Sequence, residues 1–136
     1  MAVRPLLDDA SATPEARAVF DEIRAARGTD YVNNFWRALA ADPALLRQTW
    51  ERVREVMAPG ALDPLVKELV YVAVSAANGC GYCVHSHTAA ARAKGMTGAQ
   101  HAELLAVIAC ASQTNALAQA LQVPVDPRWD AEQAAG

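Results

Sequence analysis

Apolar positions recur along most of the chain at intervals of three and four, the spacing of one helix face. Leu46, Trp50, Val53 and Met57, for example, fall at steps of four, three and four. No stretch sustains the two-residue alternation of a half-buried strand, so no sheet is expected. Start signals are frequent. Thr13-Pro14-Glu15 combines a capping hydroxyl, a proline suited to the first helical position and an early acid; Asp42-Pro43 and Asp63-Pro64 repeat the device, and Thr97 with Gln100 fits a capping box. Gly28, Pro59-Gly60, Asn78-Gly79 and Gly95 each follow an apolar run and mark its end. The pattern predicts an all-α fold of about six helices, at roughly 14–27, 31–41, 43–58, 63–77, 80–94 and 98–122. No internal repeat and no Gly/Ser-rich or charged linker interrupts it, so 1–136 is expected to be a single domain. The segment from Val123 to Gly136, with two prolines, is expected to run over the surface or onto a neighbouring subunit.

The stretch from Leu65 to Ala77 departs from the one-faced pattern: apart from Lys67, Glu68, Tyr71 and Ser75 it is apolar nearly all round. A helix of this kind is expected to be central. Glu68 is thereby a candidate buried carboxylate, which needs a partner or takes a raised pKa.

Composition narrows the function classes. The chain has 136 residues, 53% hydrophobic, with a net charge of -3. Its basic residues occur singly, mostly beside acidic ones, so no nucleic-acid surface is expected. No run reaches the roughly 18 apolar residues of a membrane span. The opening MAVRPLLDDA lacks an apolar signal core. A soluble protein in the cytoplasm is expected. There are three cysteines, two of them in the run Cys80-Gly81-Tyr82-Cys83. In a reducing compartment, that argues for redox or metal chemistry and against a structural disulfide framework.

Cys80, Cys83 and His87 lie three and four residues apart at the start of the fifth helix, on one stripe, with His85 on the other side. A helix N-terminus favours a thiolate, and His87 is placed to take the proton of Cys83. Glu68 lies ten residues before Asn78, and His87 nine after it. An antiparallel hairpin around Asn78-Gly79 would bring carboxylate and imidazole level, with Glu68 orienting His87.

Glu68, eleven residues, Cys80-x-x-Cys83, three residues, His87, together with the Asn-x-Cys-x-Tyr-Cys run, resembles the signature of the AhpD-like alkylhydroperoxidases within the carboxymuconolactone decarboxylase superfamily. The resemblance is close from Leu62 to Gly95 and looser in the helical pattern on both sides. It implies a helical bundle built around the Cys-x-x-Cys hairpin, a homo-oligomer (trimer or hexamer), and peroxidase or disulfide-reductase activity with no cofactor. It also implies a hydroperoxide substrate and an external dithiol reductant, such as a lipoylated protein. By this likeness Cys83, activated by His87 and Glu68, attacks the peroxide, and Cys80 resolves the product. The best-known members carry a histidine where this chain has Tyr82. Tyr82 is expected to pack with a hydroxyl partner and to shape substrate access, and His85 to lie at the surface or an interface; both are candidates for tuning the thiols. The decarboxylase branch works without the cysteine pair.

Two other readings use the same stripe. A zinc module would take Cys80, Cys83 and His87 with Glu68 or His101 as fourth ligand, although no second Cys-x-x-C is present, and the peroxidase reading assigns no metal. A redox-sensing helical oligomer would change assembly on disulfide formation without turnover. Cys110, mid-helix among alanines, is expected to be inert core; Trp36, Trp50 and Trp129 are expected to anchor the core or a subunit interface.

Overall fold

A computed structural model of the chain describes residues 2–129. Among these residues there are six α-helices and no strand: α1 (Pro14–Arg27), α2 (Asn34–Leu39), α3 (Pro43–Met57), α4 (Pro64–Ala77), α5 (Gly81–Ala93) and α6 (Gly98–Ala120), followed by one 3₁₀ turn over Pro127–Trp129. The anticipated caps form. Thr13, Asp42 and Asp63 each accept a backbone N–H of the first turn, and Thr97 and Gln100 bond reciprocally as a capping box. The second helix is shorter than its pattern predicts. Val32 is buried ahead of it, outside the helix. At its other end Asp42 turns extended, as a residue before proline does, to cap α3.

The described residues form two compact units that divide between Ala58 and Pro59. In the first, α1 packs on α3 and α2 on α3. Its core consists of Val19, Phe20, Ile23, Leu46, Trp36 and Trp50 with small residues between them. The two indoles meet edge to face at 5.5 Å between ring centroids, and the Arg27 guanidinium lies over both.

In the second unit α4 pairs with α5 and, less extensively, with α6. Its buried apolar side chains are few: Val72, Ala91 and Met96. The sequence places α4 centrally, yet only Glu68, Val72 and Ser75 of this helix are buried. Val66, Val70 and Val74 are about half exposed, because α5 and α6 leave that face of the helix uncovered. None of the 23 residues of α6 is buried. Cys110, expected in a core, is accordingly exposed. Trp129 is likewise exposed, in contrast to the buried Trp36 and Trp50. The part of the tail beyond Trp129 lies outside the described residues.

Candidate active site on the helical hairpin

The turn between α4 and α5 follows from two residues. Gly79, at φ +70°, takes the left-handed conformation that a side chain disfavours. Around it the Gly79 N–H donates to the Ala76 carbonyl and the Cys80 N–H to that of Ser75, closing α4 in a Schellman motif. The chain therefore reverses at once, and Cys80 becomes the N-cap of α5.

Cys80 and Cys83 are joined by a disulfide with their Cα atoms 5.3 Å apart. The Cys83 N–H donates to Cys80 Sγ over 3.2 Å. This donor and the N-terminus of α5 face the Cys80 sulfur in the disulfide form. Both cysteines are partly exposed, and Tyr82 between them is 45% exposed. His85 is exposed, on the outward side that its spacing indicates.

The hairpin brings Glu68 and His87 together. His87 Nδ1 lies 2.7 Å from Glu68 Oε2, and the carboxylate is 4% exposed. Two further residues complete the arrangement. The ring of Tyr71 stacks on that of His87, with centroids 3.5 Å apart and planes at 17°. Lys94 Nζ donates to Glu68 Oε1 over 2.9 Å. Sequence reasoning missed both, although each carried a signal. Tyr71 is one turn beyond Glu68 on α4. Lys94 is seven residues past His87, two helical turns along the stripe of Cys80, Cys83 and His87.

With Nδ1 committed to Glu68 and one ring face covered by Tyr71, the imidazole has a fixed plane. Nε2 is the ring nitrogen left to exchange a proton. Burial pushes the Glu68 carboxyl up, but the hydrogen bonds from His87 and Lys94 and their positive charge outweigh it, so its pKa lies below the ordinary 4.5. A carboxyl whose pKa is lower in the folded state stabilises the fold above its unfolded pKa. That contribution is lost as pH falls through the folded value. Stability is therefore expected to be level with respect to Glu68 above about pH 4.5 and to decline below it; in Glu68→Gln this part of the acid decline is expected to be absent. Urea midpoints measured between pH 3 and 7 check this, and parallel curves for the two proteins would contradict it.

Among the described residues no group of three or more His, Cys, Asp and Glu side chains is arranged to hold a metal ion. The pairing of Cys80 with Cys83 and of His87 with Glu68 directs the four residues at one another in twos. No described helix is long and apolar enough to cross a membrane.

The sequence pattern described as Carboxymuconolactone decarboxylase family matches residues 43–126. The chain belongs to the carboxymuconolactone decarboxylase family. Within that family its likeness is to the AhpD-like alkylhydroperoxidases. It is 42% identical over 87 residues to the alkyl hydroperoxide reductase AhpD of Solibacter usitatus (strain Ellin6076), a match covering 64% of this chain and 44% of that protein. The chain thus spans less than half the length of this curated relative. The crystal structure of the alkylhydroperoxidase AhpD core from Rhodospirillum rubrum superposes with a TM-score of 0.92 at 65% identity, over 95% of this chain and 97% of that one. The all-helical carboxymuconolactone decarboxylase fold seen here is that of the AhpD core.

Proposed function

We propose that the protein is a thiol-dependent hydroperoxidase in which the Cys80–Cys83 pair cycles between dithiol and disulfide. The observation that carries this reading is the cysteine pair at the start of α5 with a buried Glu68–His87 couple on the same hairpin. The names of the Solibacter usitatus relative and the Rhodospirillum rubrum structure support it.

His87 Nε2 takes the Cys83 proton, and Glu68 stabilises the imidazolium. The Cys83 thiolate attacks the terminal peroxide oxygen. The O–O bond breaks, Cys83 becomes a sulfenic acid, and the alkoxide leaves as an alcohol after taking a proton. The Cys80 thiolate then attacks the Cys83 sulfur and expels hydroxide, which takes a proton to give water, so the disulfide forms. An external dithiol, such as the lipoyl group of a protein, attacks at Cys83 and displaces Cys80, whose sulfur at the N-cap is the better-stabilised leaving thiolate. Its second thiol completes the exchange, and the net reaction is hydroperoxide plus dithiol to alcohol, water and disulfide. Tyr82, half exposed between the cysteines, borders the approach, and with His85 it is placed to tune the thiols.

The protein works as a homo-oligomer, trimer or hexamer, in the cytoplasm. The uncovered valines of α4 and the absence of any buried residue in α6 support association between copies. Sedimentation at the mass of one chain would contradict it.

Titration of free thiols tests the reading. Reduced protein exposed to tert-butyl hydroperoxide is expected to lose two of its three thiols together and to regain both with dihydrolipoamide, while Cys110 stays free. Unreactive thiols accompanied by stoichiometric zinc would favour the metal module. Oxidation that changes oligomer size without turnover would favour the sensor.

A further inference from the structure

We propose that Lys94 is a positioning residue of this site, whose ammonium holds the Glu68 carboxylate charged and turned toward His87; the proposal rests on the peroxidase reading above. The carboxylate is almost wholly buried and its two oxygens are divided: Oε2 meets His87 Nδ1 at 2.7 Å, and Oε1 accepts from Lys94 Nζ at 2.9 Å. His87 is cationic only in the part of the cycle in which it holds the thiol proton. Whenever the imidazole is neutral, Lys94 supplies the positive charge that a buried carboxylate requires. Without it the buried carboxyl would take up a proton itself and lose its pull on the imidazole.

The backbone fixes Lys94 in this role. It is the C-cap of α5. Beyond it Gly95 is left-handed at φ +94°, its N–H donates to the Arg92 carbonyl, and the Met96 N–H donates to that of Ala91. This is a second Schellman closure, anchored by the buried Met96 and Ala91. The side chain is thus sent back toward α4 from a fixed point two turns past His87.

Two groups outside Glu68 itself act on its charge, His87 on α5 and Lys94 at its cap, and both lower its pKa against the effect of burial. On α4 the neighbouring titratable side chains are Lys67 and Tyr71, the latter stacked on His87. The titratable groups of α6, which also packs on α4, are His101, Glu103 and Cys110.

The test compares Lys94→Met, Lys94→Gln and Lys94→Arg with the unaltered chain, and uses Arg92→Met, an exposed cation on the same last turn, as the charge control. Turnover of tert-butyl hydroperoxide with dihydrolipoamide is followed from pH 4 to 9. The acid limb is expected to move up by roughly one to three pH units in the Met and Gln variants, to return in the Arg variant, and to stay in place in Arg92→Met. Carbon-13 titration of the Glu68 carboxyl, read on folded protein, is expected to show the same displacement. Acid limbs and Glu68 titrations that coincide in all variants would overturn the proposal. A chain without turnover overturns the peroxidase reading instead, and the carboxyl titration still decides whether Lys94 governs Glu68.

Discussion

Replacing Cys83 with serine is expected to lower peroxide turnover on the order of a thousandfold or more, since it removes the thiol assigned to the attack and leaves Cys80 without the partner that closes the disulfide. A serine hydroxyl in the same place is not ionised near neutral pH, so the His87–Glu68 couple has no thiolate to generate. Cys80→Ser gives a different result. Cys83 still attacks, but no partner resolves the sulfenic acid. Without added dithiol, this variant is expected to consume a single equivalent of hydroperoxide and stop, with Cys83 trapped by dimedone and identified by mass. The pair of variants separates the two roles. Substantial turnover in Cys83→Ser, or a first equivalent lost in Cys80→Ser and kept in Cys83→Ser, would reverse the assignment and make the capped sulfur at the head of α5 the attacking group. The Cys83 N–H that donates to Cys80 Sγ is, in the proposed cycle, the group that would stabilise a leaving thiolate at Cys80. The proposed order relies on that stabilisation for the leaving group and on His87 for the attacking one.

The largest effect on stability is expected in the first unit, at Phe20. Its side chain is 1% exposed and lies in one cluster with Val19, Ile23 and Leu46, each fully buried. Phe20→Ala removes an aromatic ring from the middle of this cluster. It is expected to cost about 3–5 kcal/mol, the transfer free energy of the ring together with the cavity left behind. Domains of this size are stable by roughly 5–15 kcal/mol, so this is a large share of the total. In urea the midpoint is expected to fall strongly while the slope stays unchanged, the mark of lost stability with the same surface exposed on unfolding. A loss below about 1 kcal/mol would mean that the α1–α3 contact is not packed around Phe20. Val19→Ala, a smaller deletion in the same cluster, is the natural comparison.

The helices are legible in the sequence because each is written in local chemistry. Thr13, Asp42, Asp63 and Thr97 announce starts with oxygens that satisfy first-turn N–H groups. The glycines at 79 and 95 announce ends because the chain there turns left-handed. Cys80, Cys83 and His87 were legible as one stripe because helical spacing alone aligns them. Glu68 was legible as the partner of His87 because a tight hairpin pairs positions equidistant from its turn. Packing between helices sets what spacing does not specify. Whether a helix side is covered depends on which elements pack against it, and so α4 and α6 leave apolar side chains open where their composition suggested a core. Lys94 and Tyr71 became part of the site through the same kind of contact. A lysine near a helix end and a tyrosine on an apolar helix read as ordinary residues. Only the approach of α4 to α5 sets the ammonium on one carboxylate oxygen and the phenol ring on the imidazole face, because a buried charge collects whatever opposite charge the fold brings within reach.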